Sequence, residues 1–450
     1  MPSFKESISS ITGLFMIFNS FSILLRPISI SLSPNTESDD TWLAFRLLVQ
    51  PWKWKTGRAI KHLEESFRVY QKADYAISFN SGRSALLAIL KSLEFAQNDQ
   101  VFVQAFTCNA VPNPVMWAGL TPVYVDCRED DFNMNEEDLE RKIEASRHAG
   151  KNPRAVIAQH TFGIPANLDA LATVCKKHNL ILIEDCAHAL GAKYKGNLVG
   201  TFGEAAFFSF SRDKVISSVY GGMATTNNAL LAKKIRAFQQ KAGLPSLLWI
   251  AQQLLHPVAM NWKILPLYKF PGKYLLEIAQ RLHLLSKAVH WKEKQGMKPG
   301  YFPKSLPNAL ALLAAYQFTK LERFNAHRRE IAKMYQESLR DQKLILPAES
   351  GERSAIYLRY PVGYAKAHSL IRHAWKKNLL LGDWYTTPIA PSDTRAEKVQ
   401  YMRGSCPVAE KLAGRTFNLP THIRITPNEV KKIIAFLKQE IAENDDRTNY

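Results

Sequence analysis

The sequence predicts an α/β protein in which a mainly parallel sheet is covered by helices on both faces. Three observations carry this prediction. Short β-branched or apolar runs recur between Tyr75 and Asn227, helical patterns separate them, and 450 residues are enough for two or three packed units. In such sheets ligands sit at the carboxyl ends of the strands.

Residues 1–58 read as an N-terminal extension. Ser7–Leu25 carry no charge, but they are diluted by Ser, Thr and Asn and fall short of the ~20 mostly apolar residues of a spanning helix. They also lack a small-x-small cleavage site, so a packed or frayed extension is expected rather than a signal peptide. Pro34-Asn35-Thr36-Glu37 make a turn-rich break, followed by a helical pattern to about Tyr70. A large domain is expected over 59–305. Its strands are Tyr75–Phe79, Val101–Ala105, Pro122–Val125, Ala155–Gln159, Leu180–Glu184, Ala206–Ser209 and Met223–Thr226. Helices are expected after the Ser81-Gly82 turn, at Asn135–Ala145 and at Leu168–His178. Residues 231–305 read as a basic helical insert with Leu275, Ile278, Ala279, Leu282 and Leu285 on one face. A single long helix, Leu306 to about Leu339, then connects (306–343) to a small α+β domain (344–450) whose last helix is capped near Thr426-Pro427 with Glu429 following.

Hydrophobic residues at 46% and charged residues at 22% exclude a disordered or collagen-like chain. The net charge of +19 suggests contact with something anionic, and charge alone does not say what. Residues 231–305 hold thirteen Lys and Arg against Glu277 and Glu293, a net +11 outside the motifs below. The excess charge is therefore expected to belong to an appended surface and not to the chemistry. No nucleic-acid-binding module is recognisable. Five scattered cysteines without a CxxC pair support neither a disulfide framework nor a zinc site, and the reducing cytoplasm is the expected compartment.

Asn80-Ser81-Gly82-Arg83-Ser84 follows a strand and opens a helix, where free amides and the helix dipole can hold a phosphate; Ser-Gly is equally an ordinary N-cap. Glu184-Asp185-Cys186-Ala187-His188 ends an apolar strand in two acids. Burial penalises Asp185 unless a cation such as a protonated pyridine lies opposite, although a metal or a helix cap would also suit it. His188 reads equally as a buried histidine bonded to backbone. Phe208-Ser209-Phe210-Ser211-Arg212-Asp213-Lys214 delivers a strand-end serine and then a lysine, either an imine-forming amine or a solvated surface group. Together these are the parts of a pyridoxal 5′-phosphate site.

With these residues the chain resembles the DegT/DnrJ/StrS family of sugar aminotransferases, of the fold type I aspartate-aminotransferase superfamily. The likeness runs from about Arg68 to Leu437. Its stretches include Ser81–Leu86, Pro122–Asp126, His160–Ala166, Glu184–Ala192, Lys195-Gly196 through Gly200, Phe208 through Lys214, Gly221-Gly222, Cys406–Glu410 and Asn418–Thr421. The resemblance implies that Lys214 carries the cofactor as an aldimine and moves the proton between Cα and C4′. It implies further that Asp185 keeps the pyridine nitrogen protonated and that His188 stands beside the ring hydroxyl. It implies too that Ser209 and Ser81, with the Gly82 and Arg83 amides, hold the phosphate. It also implies a ping-pong transfer from glutamate to a nucleotide-linked keto-sugar, in glycan or cell-envelope biosynthesis, by a homodimer.

Several positions depart from the family pattern. Relatives often stack an aromatic on the cofactor where this chain has Cys108, so Phe106 or His188 supplies that contact or it is absent. Ser-Arg-Asp precedes Lys214 where His-Pro-Thr is frequent. Pro303-Lys304-Ser305 stands where relatives often place an Asn reaching the neighbouring subunit's phosphate, with Lys304 or Ser305 as substitutes. The insert reads either as a peripheral contact with an anionic membrane at its inner face, or as a dimer interface with solvated lysines. Alternatives to the transferase are a sugar dehydratase, disfavoured because Lys214 is retained, and a non-catalytic sensor keeping the cofactor fold.

Overall fold

The computed structural model describes residues 26–446, so Ser7–Leu25 lie outside it. A seven-stranded sheet forms the centre: β1 (Tyr75–Phe79), β2 (Gln100–Gln104), β3 (Thr121–Val125), β4 (Pro153–Gln159), β5 (Ile181–Asp185), β6 (Ala205–Ser209) and β7 (Gly222–Thr226). Their order is β1-β7-β6-β5-β4-β2-β3, with every pairing parallel except those of β7. No helix lies between β6 and β7 to carry the chain back across the sheet, so β7 returns antiparallel. Each strand starts within two residues of its expected place.

Both faces of the sheet are covered, because side chains alternate across it. Phe102, Val156, Leu182 and Phe208 enter one core, while Val103, Ile157, Ile183 and Phe207 enter the other. Each such fully buried side chain contributes roughly 1.5–3 kcal/mol. Helix starts follow the sequence chemistry: Ser81, Asn135, Asn167, Asn228 and Ser246 each accept an amide from three residues on.

The helices that matter for the site are α1 (Ser38–Leu48), α2 (Gly82–Ser92), α3 (Leu247–Ala259), α4 (Lys273–Arg281), α5 (Asn308–Phe318) and α6 (Leu321–Leu339). Helix α1 packs on α3 and α5, so residues 38–48 belong to the main body. The connecting helix is not single. It breaks into α5 and α6 at Thr319-Lys320, where the Thr319 hydroxyl donates to the Tyr316 carbonyl at 2.7 Å and Lys320 reaches Glu37, Asp39 and Asp40. A periodic pattern does not register such a break, since both halves keep their apolar faces. Beyond α6 a separate core gathers Leu339, Tyr360, Val362, Leu370, Phe417 and Val430 around the antiparallel pair Tyr360–Gly363 and Thr416–Leu419. The last helix, Pro427–Asp446, starts on the expected box: Glu429 N–H donates to Thr426 Oγ1, and Thr426 N–H to Glu429 Oε2.

The carboxyl ends of β1, β2, β5 and β6 converge, and β7 begins against the first turn of α2. A Cβ on Gly222 would lie 2.4 Å from both the Gly82 nitrogen and the Ser81 carbonyl carbon. Because these neighbours are backbone, Gly222→Ala is expected to destabilise the protein by about 1–3 kcal/mol, read as a lower urea midpoint by circular dichroism.

Candidate active site

A cavity of about 460 Å³ opens at these strand ends, lined by Ser81, Gly82, Arg83, Asp185, His188, Ser209 and Lys214. Seven of the eight residues expected at the site therefore meet there. Phe106 does not line it. Its ring is buried among Phe132, Phe162 and Tyr385, at centroid distances of 6.0, 6.1 and 5.4 Å.

At one end of the cavity stands the N-terminus of α2. Ser81 Oγ is spent as the cap, accepting Ser84 N–H at 3.1 Å, while the Gly82 and Arg83 amides have no intrahelical acceptor. The Arg83 side chain turns to the insert, pairing with buried Glu293 (2.9 Å) and donating to the Ala288 carbonyl (3.0 Å). Arg212 also lines this end. Its guanidinium donates to Ser286 O (2.6 Å) and Oγ (2.7 Å), it has no carboxylate within ion-pair reach, and its buried Nε has no partner among the described residues. A buried cation in that state calls for an anion.

At the other end Asp185 closes β5. One carboxylate oxygen accepts the Ala187 amide at 2.9 Å; burial pushes the acid's pKa up, against that bond and the positive charge of Lys214. Glu184, on the opposite sheet face, accepts the Gly200, Phe202 and Gly203 amides (2.7–2.8 Å) and meets His160 at 3.2 Å, so it is a structural carboxylate. The Lys214 amine lies 5.0 Å from the Trp384 ring centre. Burial pushes its pKa down to about 8, against the attraction of Cys108 and Asp185. His188 accepts the Phe162 amide at Nδ1 (3.3 Å), which leaves its proton on Nε2. Burial, then the charges of Lys214 and Arg359, hold the ring neutral well below the usual histidine range.

Sequence reasoning missed several residues here. Trp384 lines the cavity and stacks on His188 at 5.2 Å, with the Arg359 guanidinium 3.4 Å from its ring centre. The only signal was Trp384-Tyr385 in an otherwise polar loop. Asn35 Nδ2 donates to the Lys214 carbonyl, and Asn35 Oδ1 accepts from buried Arg328 at 2.7 Å, so the turn-rich break holds the loop that carries Lys214. Lys304 and Ser305 are spent on the Ala242 and Gln239 carbonyls and do not line the cavity. The insert is not apart from the chemistry: its Gln280, Lys287, Ala288, Val289 and Lys294 form one wall, because Arg83, Arg212 and Tyr220 bind its backbone carbonyls.

The model of the DegT/DnrJ/EryC1/StrS aminotransferase family matches residues 36–263 and 273–438. The chain belongs to this family. It is a pyridoxal 5′-phosphate-dependent aminotransferase of fold type I. An uncharacterised protein of Methanocaldococcus jannaschii is 28% identical over 87% of this chain and 92% of its own. GDP-perosamine synthase of Caulobacter vibrioides is 30% identical over 58% of this chain and 68% of its own. The solved Helicobacter pylori aminotransferase of pseudoaminic acid biosynthesis shares the fold with a TM-score of 0.71 at 20% identity, over 93% of this chain and all of that one.

The residues present fit the cofactor. Free amides, Ser209 and the unpaired Arg212 suit its phosphate, Asp185 its ring nitrogen and Lys214 its aldehyde. Arg212→Ala is expected to weaken pyridoxal 5′-phosphate binding by about 10- to 100-fold and to leave pyridoxal binding unchanged, as titration of the cofactor-free protein would show. The amine reacts only when neutral. Cofactor capture should therefore accelerate as pH rises through about 8 and level off above it, and stopped-flow absorbance measures this.

Proposed function

We propose that the enzyme moves an amino group from glutamate to a keto-sugar linked to a nucleotide, in two ping-pong half-reactions serving glycan or cell-envelope biosynthesis. The observation that carries this reading is a lysine amine of lowered pKa facing a buried carboxylate in one cavity, within this family's fold. The named activities of the perosamine-synthase relatives support the sugar acceptor. Lys287, without an ion-pair partner among the described residues, gives the cavity wall a positive charge suited to a phosphate-bearing substrate.

The bound cofactor supplies a ring that withdraws electron density from the substrate carbon bearing the nitrogen. Asp185 as a carboxylate holds a proton on the ring nitrogen, and that positive charge repays the cost of burying the acid. Lys214, whose pKa burial lowers to about 8, takes the proton from the substrate carbon in its neutral form and returns it one atom away. His188, fixed with Nε2–H free, donates toward the ring hydroxyl. Trp384 covers the Lys214 amine on one side and excludes water there. We also infer a homodimer, from the family resemblance, working in the cytoplasm, where its five free cysteines stay reduced.

Adding glutamate should shift the cofactor absorbance of the wild-type enzyme, and a mixture of keto-sugar nucleotides should yield an aminated product by mass spectrometry. Lys214→Ala should lower turnover by at least about 10³-fold with the fold intact. A glutamate-insensitive cofactor band would contradict the reading.

A further inference from the structure

The insert presents an apolar surface that no other described residue covers. None of the residues of α4 is buried, and Tyr274, Leu275 and Ile278 on it are exposed. Phe270 (72% exposed), Leu282 (63%) and Trp291 (59%) extend the same surface on either side. Surface-exposed hydrophobes in such number along one amphipathic stretch mark a docking face.

Charge says what docks there. Lys263, Lys269, Lys273, Lys287 and Lys298 are exposed around this surface and have no ion-pair partner among the described residues. The two acids of the stretch are already engaged, Glu277 by Arg281 at 2.6 Å and Glu293, buried, by Arg83 at 2.9 Å. A second copy docking by the same face would set these lysines against themselves with no free acid to meet them. A bilayer of anionic phospholipid offers both what the lysines lack and a medium for the aromatic and aliphatic side chains.

We propose that this face seats the enzyme on an anionic membrane surface, with the active-site cavity opening beside the bilayer. Lys287 belongs to both the surface and the cavity wall, so docking and the cavity mouth are adjacent. The inference rests on the geometry of the insert alone and stands whether or not the acceptor is a nucleotide-linked sugar.

The test is flotation of the full-length enzyme with vesicles of phosphatidylglycerol and phosphatidylcholine in about a 1:2 ratio, against phosphatidylcholine alone, at low and high salt. Ile278→Glu/Leu282→Glu alters two exposed side chains that do not line the cavity, and its fold and mass are checked by circular dichroism and light scattering. The expected result is flotation with the anionic vesicles only, lost at high salt and reduced at least about tenfold in the double variant, with mass unchanged. Three outcomes would overturn the proposal. The wild type fails to float with anionic vesicles; the double variant floats equally, which assigns binding to another part of the chain; or the double variant changes the oligomeric mass, which makes the face an interface between copies.

Discussion

Asp185 and Lys214 are unlike charges buried in one cavity without an ion pair between them, and much of the surrounding structure answers to that. Taking each charge out of water costs several kcal/mol unless other groups repay it. A direct pair would repay it and leave nothing for a cofactor. Here the neighbouring acid, Glu184, is turned to the other sheet face by strand alternation and saturated by three backbone amides and His160. Asp185 keeps one amide and remains available. Burial lowers the Lys214 pKa to about 8, so more of its amine is neutral near that pH than in an exposed lysine.

Holding Lys214 in place draws on distant parts of the chain. Asn35 and Arg328, bonded to each other, both donate to the Val215 carbonyl, and α1, which follows Asn35, is itself packed on α3 and α5. At the phosphate end the insert plays the equivalent part. Its carbonyls at Ser286, Lys287 and Ala288 accept from Arg212, Tyr220 and Arg83, so the catalytic loop and the insert order each other. One face of the insert thus builds the cavity wall while another carries exposed hydrophobes and unpaired lysines. Two of the insert's cations, Lys287 and Lys294, line the cavity, where composition suggested the surface only.

The sheet was legible because strands buried on both faces are rich in β-branched and aromatic residues, and turns with small or acidic residues punctuate them. That Ser81-Gly82-Arg83, Asp185, His188 and Lys214 share one end of the sheet was legible because each sits within a few residues of a strand end. The Thr319 break was not, because it arises from a side chain bonding back to a carbonyl and from Lys320 reaching acids about 280 residues away in sequence. Phe106 was misplaced for a related reason. Sequence shows that an aromatic is near a loop, whereas the direction of its ring is set by packing against Phe132, Phe162 and Tyr385.

The sequence by itself determined the α/β class, the strand order of the chemical groups and the family, since these depend on local pattern and short spacing. Only the tertiary structure decided which distant residues complete the site. Trp384 and the insert's Lys287 and Ala288 reach the cavity, and Arg359 and Asn35 hold residues that line it, through packing across the chain, a relation that no local pattern encodes.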